Sequence, residues 1–204
     1  LAASSPNLLV VHPSLPVKSV KELIALARAR PATLNYGSLG AGSSNHLAAE
    51  LFKSMAGVNI VRIPYKGNGP ALTDLVAGEV QLMFASTSAA TPHVKSRRLR
   101  ALAVTTAEPS ALVPGLPTVA ASGLAGYTAA ALLGLFGPAK TPAAIVNRLT
   151  QETARVLNQA DAKDKLFNAG IEVVGTSAEK FAATINSEIA RIGKVIKDAG
   201  IREE

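Results

Sequence analysis

Residues 37–47, GSLGAGSSNHL, place three serines and a histidine among three glycines, between an apolar run and a helical pattern. Gly and Ser together are typical of flexible linkers, but a Gly-rich turn that ends at a helix N-terminus presents free backbone N–H groups to an anion. The stretch lacks the Gly-Lys-Ser/Thr ending of a P-loop, and Asn45 stands where a dinucleotide-binding fingerprint has its last glycine. It therefore predicts either a carboxylate cradle, in which residues 40–42 turn closely and Ser43 caps the helix, or a strand-to-helix turn with nothing bound.

Two later stretches, residues 65–70 and 85–88, repeat this pattern of small and polar residues between a strand and a helix. In a parallel sheet such connections meet at the carboxyl edge, where ligands bind. The sequence therefore predicts one ligand site at this edge. The residues that we assign to it are Ser38, Gly40, Ala41, Gly42, Ser43, Ser44, His46, Tyr65, Lys66, Gly67, Ser86 and Thr87.

Simpler roles exist for several of these residues. His46 could be an ordinary polar residue of the first helical turn, and Lys66 a solvated loop lysine. Ser86 and Thr87 could cap the helix that follows them.

Metal, cofactor and catalytic groups are not predicted. Three histidines without the i, i+4 spacing of a zinc site, and no cysteine, disfavour a metal. No G-x-S-x-G elbow occurs, and only five acidic residues precede residue 141, so no nucleophile, base and orienting group stand out. An enzyme is disfavoured on these grounds.

The basic charge is concentrated in the first part of the chain. The formal net charge is +7, with 12 Lys/Arg against 5 Asp/Glu in residues 1–140 and 9 of each in residues 141–204. The basic residues are scattered, only 4% of residues are aromatic, and Trp is absent. This pattern favours a small anionic ligand and disfavours nucleic acid.

Apolar runs and helical patterns alternate up to residue 106 and predict β-α-β-α-β-α-β with short connections, after an extended run at residues 8–12. Ser19 and Ser43 are expected as N-caps, and Gly57 and Gly78 as C-caps. This order predicts an α/β fold with a largely parallel sheet.

The chain changes character after residue 106. Residues 107–131 are rich in Pro, Gly and Ser and form the longest irregular stretch, the expected passage between domains. The last helix is predicted to start with a capping box of Thr176 and Glu179. Its apolar stripe consists of Phe181, Ile185, Ile189, Ile192 and Ile196.

Five blocks in this order, LNYGSLGAGSSNHLAAELF, IPYKGNGPALTDLVAGEVQLMF, LRALAVTT, GLPTVAASGLAGY and GLFGPAKTP, closely resemble the substrate-binding proteins of tripartite tricarboxylate transporters, the Bug family. The resemblance extends over essentially the whole chain. It implies a periplasmic solute-binding protein with two periplasmic-binding-protein-like (type II) α/β lobes, a flytrap cleft and no catalysis.

The resemblance also implies a ligand and partners. Ligands of the family are small carboxylic acids held by backbone amides, hydroxyls and water, and they are delivered to the membrane permease subunits of the transporter. The matching positions on the second lobe's side of the cleft are Ser38, Gly40, Gly42, Ser43, His46, Tyr65, Lys66 and Gly67.

The chain departs from the family pattern at its start, where members carry roughly ninety further residues. We therefore expect residues 8–131 to be the complete second lobe and residues 132–204 the C-terminal part of an incomplete first lobe. Self-association through that incomplete lobe, or repacking of its last helix on the second lobe, would then cover the apolar stripe.

Two functions from other classes stay open at this point. An enzyme could use the Gly-Ser loop as an oxyanion cradle, and a regulatory ligand-sensing domain could share the fold.

Overall fold

A computed structural model describes residues 1–201, and within them it contains seven strands and seven helices. The strands are β1 (Ala3–Val11), β2 (Asn35–Ser38), β3 (Val61–Pro64), β4 (Leu82–Ser86), β5 (Arg100–Val104), β6 (Ala130–Leu133) and β7 (Glu172–Val173). The helices are α1 (Val20–Ala29), α2 (Ser44–Ala56), α3 (Asn68–Ala77), α4 (Thr87–Lys95), α5 (Ala143–Leu157), α6 (Ala160–Asn168) and α7 (Ala178–Asp198).

The main sheet has the strand order β3-β2-β4-β1-β5. Strands β3, β2 and β4 are parallel neighbours, while β1 is antiparallel to both β4 and β5. Four of the five strands therefore run in one direction, and the prediction of a largely parallel α/β sheet is confirmed. The sequence did not predict that β1 lies inside this sheet in the opposite direction.

Strand β1 is longer than predicted and belongs to two sheets. It starts at Ala3 instead of residue 8, and its first four residues, up to Pro6, pair antiparallel with β6. Ala3 and Ser4 also pair with β7. From Asn7 onward the strand pairs with β4. One continuous strand thus joins the main sheet to the small sheet formed with β6 and β7.

Alternate residues of β1 face two separate hydrophobic cores. Leu9 and Val11 pack into a cluster with α1 and α2, whereas Leu8 and Val10 pack into a cluster with α3 and α4. Successive side chains of a strand point to opposite faces, so a strand buried on both sides is apolar throughout. The main sheet is therefore a central layer between two helical layers.

The predicted helix ends are mostly confirmed. The side chains of Ser19 and Ser43 accept the capping hydrogen bonds of α1 and α2, and Gly57 and Gly78 end α2 and α3 in the left-handed conformation. The capping box at Thr176 is wrong, because Ser177 is the residue that caps α7.

Helix α7 contacts both parts of the chain. Near its start, Phe181 is 8% exposed and packs against Phe136, with ring centroids 5.4 Å apart and a tilted arrangement. Near its end, Val195 is buried in the core cluster of the main sheet. Along the helix Ile189 is 65% and Ile196 37% exposed, whereas Ile185 and Ile192 are partly buried. The predicted apolar stripe is therefore only partly covered.

Helices α5 and α7 border an apolar cavity of about 310 Å³. Phe136, Leu149 and Phe181 are among the residues that line it. In residues 1–201 no helix combines the length and the apolar character that crossing a bilayer requires.

Candidate functional site

The carboxyl ends of β3, β2 and β4 lie side by side at one edge of the main sheet. Ser38 at the end of β2 is in register with Pro64 at the end of β3, and the Tyr65 N–H donates to the Ser38 carbonyl at 2.8 Å. Because β1 runs the other way, Asn7, where β1 begins to pair with β4, is opposite Ser86 at the end of β4. The three predicted strand-to-helix connections are therefore brought together at this edge.

The turn between β2 and α2 is tight at its base and open on one side. The Ser43 N–H donates to the Gly40 carbonyl at 3.1 Å, and Gly42 has a φ of 75°, which favours glycine. The Ser43 side chain accepts from the His46 N–H at 3.3 Å. A Cβ built on Gly40 or Gly42 would meet no described atom within 4 Å. The N-terminus of α2 thus begins beside an open turn.

His46 is buried, with 4% exposure, and its ring lies between the turn and the protein interior. Its Nδ1 accepts the Gly42 N–H at 3.2 Å, and its Nε2 lies 3.9 Å from Glu50 Oε1. Since Nδ1 is an acceptor, the neutral ring carries its proton on Nε2. His46 therefore supports the turn from behind.

Glu50 is a buried carboxylate with two further partners, and sequence reasoning missed it. The Tyr36 hydroxyl donates to Glu50 Oε1 at 2.6 Å, and Lys53 Nζ lies 2.7 Å from the same oxygen. Burial, together with the hydrogen bond to Glu50, raises the pKa of the Tyr36 hydroxyl. These partners compensate the burial of the Glu50 charge.

Arg62 on β3 is a second residue that sequence reasoning missed. Its Nε donates to Ser38 Oγ at 2.8 Å, and its Nη2 donates to the Leu39 carbonyl at 3.0 Å. Ser38 is fully buried, and its hydroxyl also donates to the Leu39 carbonyl at 3.1 Å. The one available signal was a cation inside the apolar strand run VRIP.

An asparagine pair lies where α2 meets the sheet edge. Asn45 Nδ2 donates to the Phe84 carbonyl and, at 3.4 Å, to Asn7 Oδ1. Asn7 is 2% exposed, and among the described residues its Nδ2 has no hydrogen-bond partner. A buried polar group without a partner is rare in a folded protein. The sequence signal was an amide directly before the apolar run that starts at Leu8.

The connection after β3 combines an engaged and a free side chain. The Tyr65 hydroxyl donates to Asp74 Oδ2 at 2.8 Å. Burial, the hydrogen bond to Asp74 and the charge of that carboxylate raise the pKa of Tyr65 to about 12. Lys66 is exposed, and Gly67 precedes α3 without a capping side chain.

The connection after β4 is held largely by hydroxyl groups. Thr87 is 2% exposed, and its Oγ1 donates to the Pro6 carbonyl at 2.8 Å. Ser86 Oγ accepts from Asn68 Nδ2 at 3.5 Å, and Asn68 Oδ1 is buried with no partner among the residues described. Ser86 is the N-cap residue of α4, but its side chain makes no capping bond.

The predicted site residues fall into two groups. Six of them make side-chain hydrogen bonds at the edge: Ser38, Ser43, His46, Tyr65, Ser86 and Thr87. The other six contribute backbone at the connections and one exposed cation: Gly40, Ala41, Gly42, Ser44, Lys66 and Gly67. This edge therefore presents backbone amides and positive charge to an anion. Within residues 1–201, no three His, Cys, Asp or Glu side chains cluster as a metal site would require.

A family model described as "Tripartite tricarboxylate transporter family receptor" matches residues 1–201. A UPF0065 protein from the tcbD-tcbE intergenic region of Pseudomonas sp. (strain P51) is 36% identical over 197 residues, which are 96% of this chain and 59% of that protein. The chain thus spans about three fifths of the length of this relative.

Two solved structures from Rhodopseudomonas palustris are similar to the whole fold. One, which holds adipate, is 42% identical with a TM-score of 0.84 and covers 100% of this chain and 68% of that one. The other, MatC with bound malate, is 29% identical with a TM-score of 0.76 and covers 95% of this chain and 67% of that one.

Proposed function

We propose that this chain, which belongs to the receptor family of the tripartite tricarboxylate transporters, captures a small carboxylic acid and delivers it to the membrane subunits of such a transporter. The family resemblance inferred from the sequence is confirmed by the match over residues 1–201. The similarity to structures that hold adipate and malate supports a dicarboxylate as the ligand class.

The observation that carries this proposal is the open turn at the N-terminus of α2. Gly40 and Gly42 have free space on one side, and the first N–H groups of a helix lack intrahelical acceptors. Such a terminus binds a carboxylate without a metal. Exposed Lys66 follows β3 at the same sheet edge and adds positive charge.

Binding without turnover is the form of this function that we propose. The family is one of receptors, and the hydroxyls and the imidazole at the edge are engaged in structural hydrogen bonds. An oxyanion cradle needs a reacting group beside it, and Ser38, the serine that ends β2, is fully buried.

A periplasmic location and a two-lobed architecture complete the proposal. We assign residues 8–131 to one lobe and residues 132–204 to part of the other, although residues 202–204 lie outside the described part. The continuous strand β1 and the neighbouring β6 would form the crossing between the lobes. The apolar cavity between α5 and α7 would then be covered by chain that relatives have beyond the matched region.

A titration of the ¹⁵N-labelled 204-residue chain with adipate and with malate tests the proposal. We expect saturable amide shifts concentrated at residues 40–46, and none with hexanediol, which has the length of adipate but no charge. Gly42→Val puts a β-branched residue at a positive φ. It should abolish the shifts and leave the remaining spectrum folded.

Other outcomes would contradict the proposal in distinct ways. Shifts elsewhere, or unchanged affinity in Gly42→Val, would remove the turn from the ligand site. New acid-derived resonances that accumulate with time would show turnover and favour the enzyme.

A further inference from the structure

We infer that His46 is a positioning residue of the turn and does not contact the ligand, a role that rests on the proposed function. By accepting the Gly42 N–H at Nδ1, the imidazole fixes the orientation of the Gly42 amide. It thereby determines which backbone N–H groups face an incoming carboxylate.

The burial of the ring excludes a direct ligand contact in this arrangement. His46 is 4% exposed, whereas Gly42 is exposed. The hydrogen bond to Nδ1 therefore connects an open turn to a closed interior. A glycine at positive φ has many accessible conformations, and a fixed acceptor for its N–H selects one of them.

His46 is itself held by groups on two sides. Its backbone N–H donates to the Ser43 side chain, and its ring Nε2 faces the Glu50 carboxylate, one helical turn further along α2, at 3.9 Å. Glu50 in turn is held by the Tyr36 hydroxyl on β2 and by Lys53. A chain of contacts thus connects strand β2 to the turn through His46.

These hydrogen bonds determine which backbone N–H groups at the N-terminus of α2 have an acceptor within the protein and which do not. The Ser43 side chain accepts a hydrogen bond from the His46 N–H, and the Ser43 carbonyl accepts one from the Leu47 N–H. The His46 ring accepts the Gly42 N–H. Among the described contacts, the N–H groups of Ser44 and Asn45 have no acceptor. Ser44 is partly exposed, whereas Asn45 is 5% exposed, so we assign the ligand contact to the Ser44 N–H.

Two variants separate the roles of the two ring nitrogens. In His46→Asn the side-chain oxygen takes the place of Nδ1 and can accept the Gly42 N–H, whereas in His46→Gln the polar group reaches the place of Nε2. We expect the Gly42 amide to exchange with solvent about tenfold faster in His46→Gln and within about threefold of wild type in His46→Asn. Adipate affinity should follow, with a roughly five- to tenfold loss in His46→Gln and recovery in His46→Asn.

A measurement on the wild-type chain does not depend on either variant folding. Scalar coupling across the hydrogen bond between the Gly42 amide nitrogen and His46 Nδ1 should be visible by ¹⁵N NMR. Absence of this coupling, or equal affinity loss in both variants, overturns the positioning role alone. If the wild-type chain binds neither adipate nor malate, both the proposed function and the positioning role of His46 are wrong.

Discussion

Arg62 is a cation at the candidate ligand edge, but its hydrogen bonds are made to the protein itself. Its guanidinium donates to Ser38 Oγ and to the Leu39 carbonyl, the two groups that lead from β2 into the turn. A planar guanidinium supplies two donors in fixed geometry, which a lysine ammonium does not. The Arg62 side chain therefore fixes the turn at Ser38 and Leu39, and His46 fixes it at Gly42.

Arg62→Ala should lower the free energy of unfolding by about 1–3 kcal/mol, because it takes these two donors away from a buried hydroxyl and a carbonyl. Arg62→Lys should recover only part of this loss. Urea denaturation measures both changes. Exposed Arg98 provides the control, since Arg98→Ala should stay within about 0.5 kcal/mol of wild type. An equal loss of unfolding free energy in Arg62→Ala and Arg98→Ala would show that the hydrogen bonds of Arg62 add no measurable stability.

At the scale of elements, α7 is the helix that ties the C-terminal part of the chain to the main sheet. Its Val195 lies in the same buried cluster as residues of α1 and α2. Its Phe181 packs on Phe136 in the loop that follows β6. Separate ends of one helix are thus anchored in different parts of the molecule.

Val195→Ala should destabilise the chain by about 1–3 kcal/mol, because it removes buried apolar atoms and leaves a cavity. Ile189→Ala on the same helix should change stability by no more than about 0.5 kcal/mol, since Ile189 is 65% exposed. Thermal and urea unfolding of the two variants check the difference. A loss at Ile189 as large as that at Val195 would mean that the exposed stripe is covered in solution.

Local sequence signals predicted the ends of elements well, because caps act within one turn. Ser19, Ser43, Gly57 and Gly78 each have the local geometry that their residue type favours. The error at Thr176 arose because two adjacent hydroxyl residues precede α7, and pattern alone does not choose between them. The Arg62 contacts escaped prediction because they exist only once β2 and β3 are paired.

At the scale of the whole molecule, the direction of β1 could not be predicted from its own sequence. An apolar run buried on both faces reads the same in a parallel or an antiparallel position. Strand β1 places Asn7 at the carboxyl edge of the parallel strands, opposite Ser86, because it runs against its neighbours. The strand-to-helix pattern and the resemblance to a receptor family made the turn a candidate site, whereas the polar groups behind it depend on this topology.

All three tyrosines of the chain have raised pKa values, and this predicts its behaviour at alkaline pH. The unfolded chain releases these protons near pH 10, whereas folded Tyr65 retains its proton until about pH 12. The protonated tyrosine hydroxyls therefore contribute their full stabilisation below pH 10, and this stabilisation is lost as the pH rises above 10.

We expect the first tyrosinate absorbance of the folded chain to come from Tyr65 and to disappear in Tyr65→Phe. The signals of Tyr36 and Tyr127 should appear only together with loss of the far-UV circular dichroism. With no Trp in the chain, the absorbance change reports tyrosine alone. Tyrosinate at pH 10 in the folded wild type would contradict the hydrogen bonds that the Tyr36 and Tyr65 hydroxyls donate to Glu50 and Asp74.

The apolar surface of the C-terminal part leads to a prediction about the oligomeric state of the 204-residue chain. Leu135 and Phe136 are 70% and 78% exposed, and both line the cavity between α5 and α7. Each large apolar side chain gains about 1.5–3 kcal/mol on full burial, so a contiguous surface of this kind favours association.

We expect the isolated chain to form larger species in a concentration-dependent way, measured by light scattering. Replacing both residues by serine should return the chain to a monomer, whereas Met55→Ser, at a 38% exposed position on α2, should leave the association unchanged. A wild-type chain that stays monomeric at every concentration would show that this surface attracts no second copy. The relatives are longer than this chain, and if their additional residues cover this surface, a chain extended by those residues should lose the association as the two serines do.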